Sequence, residues 1–270
     1  YEYDFLDGKT QTIKDIVENN NEVSKKIIDS KKPMIILGES FFNTKSANYL
    51  FHSLKKFLNE NNKITDEWNP LNILSTDAAT VGNFDLDIVN MKDNLIDDLK
   101  ENKFELVYLL GQDNLDFNKK NEFVIYQGSH GDKGAEIADI ILPGAAYTEQ
   151  SAHFTNLEGK IQKAYKASYP PGEAKEDWQI INELAEIMNN RKLFNDKDEL
   201  ESSMLNFLNL KKEKQKSELI KEINQSNFEN ENLEVKYKDY YFSNVIARSS
   251  KTMLDFYNSK FEIKGTGTEG

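Results

Sequence analysis

The chain contains no cysteine. That excludes a disulfide framework, thiolate zinc sites and cysteine-ligated iron–sulfur clusters within it. Histidine is nearly as scarce: His52, His130 and His153 are the whole set. No apolar run approaches the roughly 18–20 residues that a membrane-spanning helix needs, which argues against direct membrane insertion. Basic residues are also short. Lys and Arg number 34 against 46 Asp and Glu, a formal net charge of −12. A nucleic-acid partner calls for a clustered basic face to neutralise phosphates, so that class is disfavoured and a solvated acidic surface is expected. The sequence starts at Tyr1, which suggests that something upstream was removed or that the chain is part of a longer product. Tyr1–Lys9 is acidic and aromatic, unlike a secretory signal or a transit peptide.

What is present is enough for one sizeable core or two small ones, since the chain has 270 residues and 38% of them are hydrophobic. Ile13, Ile16, Val17, Val23, Ile27 and Ile28 recur at a helical period over Thr12–Ser30. Met34–Gly38 follows as a short apolar run closed by glycine, the pattern of a strand buried on both faces of a parallel sheet. Lys45–Asn59 returns to the helical period. Leu71–Leu74, Leu106–Gly111, Phe123–Tyr126 and Ile137–Leu142 read as further strands, with a short helix expected at Leu95–Leu99. The last strand stops at Pro143-Gly144. Alternating strands and helices predict an α/β fold, a doubly wound and mostly parallel sheet with helices on both faces. Lys175–Asn189 predicts an amphipathic helix with Trp178, Ile181, Ala185 and Met188 on one face and Glu173, Glu176 and Asp177 near its positive end. Beyond Arg191 the composition shifts to a charged, mainly helical extension over Leu193–Asn230. Lys211–Lys216 is expected as a solvated face, Tyr237–Phe261 is aromatic, and Gly265–Gly270 is expected as a weakly tethered tail. The organisation anticipated is an α/β domain over 1–192 and a helical, partly extended region over 193–270.

One segment could carry chemistry on its own residues. Gly128-Ser129-His130-Gly131-Asp132-Lys133-Gly134 is a glycine-rich loop after a strand, and such loops let backbone amides approach phosphates. Its spacing matches neither G-x-G-x-x-G nor a Walker loop, so a tight connection needing positive φ is the competing account. His130 and His153, with Asp132, Asp139 and Glu149, lack metal-ligand spacing and are expected in surface hydrogen bonds. No Ser–His–Asp order and no carboxylate pair stands out for acid–base work.

A resemblance is carried by Gly131-Asp132, Gly134-Ala135, Ala138-Asp139-Ile140-Ile141-Leu142-Pro143-Gly144-Ala145-Ala146-Tyr147-Thr148-Glu149, and then Thr155-Asn156, Glu158-Gly159-Lys160 and Gln162. These runs resemble "ADxxLPGAAYTE" and "TNxEGR" of the large (75 kDa) iron–sulfur subunit family of respiratory complex I. Lys31–Gly38 is similar to that family's "KKPMxxLG", Asn72–Leu74 to "NIL" and Leu109–Asp113 to "LLGAD". Pro170–Trp178 is similar to "PPGxAxEDW" and Ile246–Met253 to "ISRASxTM". The resemblance covers about Lys31–Met253, with a weaker echo near Tyr3.

The resemblance implies a molybdopterin-oxidoreductase-like domain. In that family an upstream portion carries the iron–sulfur clusters that relay electrons from flavin toward quinone, and that portion is absent here, in keeping with zero cysteines. Thr155, Asn156, Glu158 and Gly159 would be vestigial pterin-facing residues of a domain that has become structural. Lys160 stands where the family usually has Arg, which removes a planar bidentate donor. No cofactor is expected in this chain. Iron–sulfur clusters and FMN are expected in partner chains, namely a separate or upstream cysteine-rich portion and a flavin-bearing subunit. The implied location is peripheral, on the matrix side of the mitochondrial inner membrane or the cytoplasmic face of a bacterial one. Two rivals remain: an oxidoreductase domain that retains molybdopterin, and a free nucleotide-binding module built on Gly128–Gly134.

Overall fold

The computed structural model describes residues 2–88, 95–115, 117–214, 228–234 and 242–262. Gln215 and Lys216 at the end of the lysine-rich run, the first residues of the aromatic segment and the glycine-containing tail lie outside them. The chain forms two compact units, one of Tyr1–Asp85, Thr155–Ile161 and Leu208–Lys236, the other of Leu86–Phe154, Gln162–Phe207 and Tyr237–Gly270.

In the first unit the expected long helix is two. α1 (Thr10–Val17) and α2 (Glu22–Asp29) are separated where Asn19 adopts a left-handed φ of 61°. Asn21 then restarts the helix by accepting from the Val23 amide at 2.9 Å, the job of an N-cap. β1 (Ile35–Gly38) follows, then a 3-10 turn over Glu39–Asn43, and α3 (Ala47–Glu60), which supplies Tyr49, Leu50, Leu54, Phe57 and Leu58 to the core. β2 (Leu71–Leu74) pairs parallel with β1, Ile35 opposite Leu71 and Leu37 opposite Ile73. α4 (Thr80–Asp85) closes this stretch; nothing in the periodicity announced it. Burial on both faces of β1 does not hold: Leu37 is buried, while Ile36 is 58% exposed.

Residues 228–234 return to this unit. Thr10 and Ser46, both fully buried, hydrogen-bond their backbone. The Ser46 hydroxyl both donates to the Glu229 carbonyl and accepts from the Glu229 amide, each at 2.7 Å. Thr10 donates to the Glu229 carbonyl at 3.0 Å and accepts from the Glu231 amide at 2.9 Å. Every one of these buried polar groups has a partner, which keeps the desolvation cost small.

The second unit holds α5 (Leu95–Lys100), β3 (Leu106–Leu110), β4 (Phe123–Gly128), α6 (Lys133–Glu136) and β5 (Ile140–Pro143). The three strands form one parallel sheet in the order β3-β4-β5. β5 begins three residues later than Ile137, because Ile137 and Ala138 finish the turn of α6 and pack on the core. Alternation sends Val107, Leu109, Val124 and Tyr126 to a face covered by Leu99, Phe117 and Ala135. The opposite face carries Leu106, Tyr108 and Leu110 on β3, Phe123 and Ile125 on β4, and Ile140 and Leu142 on β5. Gln127 shares that face and is fully buried, bonded to Asp177 and Tyr108, while Leu106 is 55% and Leu110 50% exposed.

β6 (Ala152–Thr155) and β7 (Ile161–Ala164) make a hairpin that the sequence reading did not anticipate. Five intervening residues are too few for a parallel crossover, so the strands run antiparallel. α7 (Asp177–Asn189) ends at Asn190 in the left-handed region, and α8 (Lys197–Lys214) follows. The apolar face expected of α7 is half covered: Ile181 and Met188 are exposed, Trp178 and Ala185 are half-buried, and the buried residue of the helix is Asn182, off that face. Its amide donates to the Phe194 carbonyl at 2.8 Å, and its oxygen accepts from the Leu193 and Phe194 amides. α9 (Val245–Ser249) and α10 (Lys251–Glu262) complete the described chain.

Candidate functional site

The residues expected to face a pterin sit at the tip of the β6–β7 hairpin. Asn156 is spent on the turn itself. Its side-chain oxygen accepts from the Glu158 amide at 3.0 Å and the Lys160 amide at 2.9 Å, and its own amide donates to the Lys160 carbonyl at 3.0 Å. Gly159 supplies the positive φ, 75°, that lets the turn close. Thr155 is buried beside Gly82, whose Cβ position would lie 3.8 Å from the Thr155 hydroxyl. Leu157, Glu158 and Gly159 form one wall of a groove of about 670 Å³ in the first unit. Phe42, Ile73 and Phe84 make its apolar floor, and Glu39, Asp85 and Glu158 place carboxylates on it. Glu39 accepts from the Thr76 amide at 2.8 Å and from its hydroxyl.

The glycine-rich loop lies in the second unit, at the carboxyl ends of β3 and β4. Neither Gly128, Gly131 nor Gly134 has positive φ, so the turn-strain account of this loop fails. Packing explains two of the three. A Cβ on Gly128 would fall 2.2 Å from the Tyr126 hydroxyl, and one on Gly134 would fall 2.7 Å from the Gln112 carbonyl and 3.1 Å from the Tyr126 ring. The Tyr126 side chain therefore folds back over its own loop, where it donates to the His130 carbonyl at 2.8 Å. His130 pairs with the Ser129 hydroxyl at 2.9 Å.

The same edge gathers charged groups that the motif reading had treated separately. Asp113 follows β3 and Asp132 caps α6, accepting from the Lys133 amide at 2.9 Å. Between them lies Arg248 of α9, with Nη2 2.6 Å from Asp113 and Nε 2.7 Å from Asp132. Burial pushes the Asp113 carboxyl up, against the pull of Arg248, with Asp132 adding to the rise. Burial works the same way on Asp132 but is outweighed by the hydrogen bonds from Arg248 and the Lys133 amide, which bring it below the usual range. The phenol of Tyr126, buried and flanked by both carboxylates, is pushed up to about 12.

Glu176-Asp177-Trp178 is likewise a structural knot. Asp177 accepts from Gln127 on one oxygen and from Gln150 on the other, both at 2.8 Å, while Gln127 itself is fully buried and accepts from Tyr108. Glu176 caps α7, pairs with Lys197 and accepts from the Trp178 indole at 3.2 Å. Among the other acidic residues near the loop, Asp139 holds Lys119 at 2.6 Å and Glu149 accepts from the Ala146 amide at 2.9 Å. His153 lines a different cavity, beside Trp178 and Lys197. Among the described residues no group of three or more His, Asp or Glu side chains is placed to hold a metal ion.

The molybdopterin oxidoreductase family model matches residues 1–187, well over half of the chain. The chain belongs to the molybdopterin oxidoreductase family. A second model, for the C-terminal region of the NADH-ubiquinone oxidoreductase G subunit, matches residues 199–253, which include α9 and Arg248. The chain is 36% identical over 266 residues to the NADH-ubiquinone oxidoreductase 75 kDa subunit of Reclinomonas americana, covering 94% of this chain and 38% of that protein. It is 33% identical over 272 residues to the NADH-quinone oxidoreductase G subunit of Rickettsia bellii, covering 99% and 39% respectively. The mitochondrial NADH-ubiquinone oxidoreductase 78 kDa subunit of Neurospora crassa is 33% identical over 249 residues, covering 86% and 33%. The chain thus spans little more than a third of the length of these curated relatives.

Membership in a molybdopterin family raises the question of fit. A molybdopterin cofactor carries phosphate, so its site must supply cations or free amide donors. The groove at the hairpin tip presents Glu39, Asp85 and Glu158 instead, and the Lys160 amide is already bonded to Asn156. The oxygen of Asn156 is committed to the turn as well. These residues do not match the group.

Proposed function

We propose that this chain is a structural, non-catalytic part of the large iron–sulfur subunit of an NADH:quinone oxidoreductase (complex I). It braces the cluster-bearing portion that relays electrons from NADH and flavin toward quinone. The chain binds no cofactor of its own; FMN and the clusters belong to its partners. Those partners are other subunits of the peripheral arm. One is the cysteine-rich portion, upstream in the same product or supplied as a separate polypeptide, and another is the flavin-bearing subunit. The complex holds the chain against the membrane peripherally, on the matrix side in mitochondria or the cytoplasmic side in bacteria. No described helix is long and apolar enough to cross a membrane.

The observation that carries this proposal is the open part of one face of the β3-β4-β5 sheet, beside the stretch at Gln127 that Asp177 covers. Parallel sheets are covered on both sides in folded proteins. Here Leu106, Leu110, Phe123 and Ile140 lie open on one side, uncharged, in a chain little more than a third as long as its relatives. A rigid support affects electron flow by holding redox centres at fixed separations, over which transfer falls steeply. Purifying the native assembly through a tag on this chain tests the proposal. Co-purification of a cysteine-rich, iron-containing polypeptide together with NADH-oxidising flavoprotein is expected. Stoichiometric molybdenum or tungsten, or a chain recovered alone, would overturn it.

A further inference from the structure

In open parallel sheets ligands bind in the crevice beyond the carboxyl ends of the strands. In the second unit that crevice is lined by Gly111 and Asp113 after β3, by Gln127 and Gly128 at the end of β4, and by Asn244, Val245 and Ile246 of the C-terminal segment. Its remaining volume is about 210 Å³, below the roughly 300–1,000 Å³ typical of small-molecule sites. Part of its wall is the protein's own C-terminal segment.

The manner in which that segment docks resembles ligand binding more than core packing. α9 has no fully buried residue. Its anchor is a guanidinium held by two carboxylates from different loops, Asp113 at 2.6 Å and Asp132 at 2.7 Å. A third contact, from Nη1 to the Phe242 carbonyl at 3.4 Å, ties the guanidinium to its own segment. Charge-assisted bonds at these lengths are the strong kind, and the fork of a guanidinium suits two flanking carboxylates in a way an ammonium does not. A segment with no fully buried side chain and two such bonds belongs to the low-stability end of a structure, where local opening is easiest.

We propose that Asp113 and Asp132 form a guanidinium-binding site beside the carboxyl-end crevice, filled in cis by Arg248, and that α9 is a detachable plug on the wall of that crevice. The proposal is independent of the complex I assignment. Docking of Arg248 and binding of an external guanidinium by Asp113 and Asp132 are mutually exclusive, because both need the same two carboxylates.

Hydrogen exchange on the full 270-residue chain tests this. In Arg248→Ala, the amides of Ala247, Arg248 and Ser250, now bonded to Asn244 and Ala247, should exchange about tenfold faster or more, with β3 and β4 unchanged. Methylguanidinium should then raise the melting temperature of the variant saturably, relative to KCl at equal ionic strength, and leave the wild type unmoved. Unchanged exchange in the variant, or an equal response of both proteins to methylguanidinium, would overturn the proposal. Should Arg248→Ala fail to fold, Asp132→Asn serves in its place. Asparagine still caps α6 while the charge is lost, so the same acceleration is expected, and its absence counts equally against the site.

Discussion

Asp132 divides its carboxylate between two duties: one oxygen caps α6 through the Lys133 amide, and the other holds Arg248, 116 residues further along the chain. A loop residue that reads locally as a helix cap is thus also the docking point of the C-terminal segment. Much of what the motifs encode in this protein is of that kind, with polar side chains committed to holding distant stretches of backbone together.

The glycines of the loop should differ sharply in tolerance. Gly134→Ala places a Cβ 2.7 Å from the Gln112 carbonyl, a backbone atom that cannot swing away. A loss of about 1–3 kcal/mol is expected from overpacking, read as a lower midpoint in urea. Gly131→Ala meets nothing within 4 Å and should leave the midpoint where it is. Equal effects at the two positions would show that packing against Tyr126 is not what selects glycine there.

Glu176 should give the fold an acid limb. Burial opposes its ionised form, but the bond and charge of Lys197, the Trp178 indole and Lys166 together bring its carboxyl below the usual range. A carboxyl depressed in the fold contributes stability that is present above its unfolded value, near about 4.3, and is lost as pH falls through the folded value. Glu176→Gln should cost about 1–2 kcal/mol at pH 7 and less below pH 4. Denaturation midpoints of both proteins from pH 3 to 7 measure the convergence.

Tyr126 sets the alkaline side. Its folded phenol titrates at about 12 against an ordinary 10.0. The unfolded chain therefore releases that proton first, and stability falls as pH rises between those two values. Tyr126→Phe should flatten that slope, at the cost of the bond to the His130 carbonyl. A titration of phenolate absorbance should lose its latest-ionising component in the variant.

The open part of the sheet face offers a test of assembly separate from folding. Leu106→Glu and Ile140→Glu change side chains that are 55% and 45% exposed, so the melting of the isolated chain should shift by no more than about 0.5 kcal/mol equivalent. Recovery of the iron-containing partner through a tag on this chain should fall severely. Normal recovery would show that the partner docks elsewhere.

The strands were legible because each satisfies a local rule. Leu71–Leu74 and Leu106–Gly111 are short, mainly apolar runs; β2 coincides with the first, and β3 ends one residue before Gly111. The hairpin escaped notice because Ala152–Thr155 and Ile161–Ala164 contain few β-branched or aromatic residues, and its turn depends on the side chain of Asn156 rather than on an Asn-Gly pair. The helix break at Asn19 was hidden because apolar spacing runs on through it.

The glycine-rich loop that first invited a phosphate shows where the division lies. Sequence by itself determined the α/β class, the places of β1 to β5 along the chain and the membership in an oxidoreductase family, since burial period and motif spacing are properties of neighbouring residues. Tertiary structure alone decided why Gly128 and Gly134 are glycine, which part of the sheet stays open, and that Arg248 bridges Asp113 and Asp132. Those outcomes depend on close approach and charge pairing between residues far apart in the chain, and no local pattern records such distances.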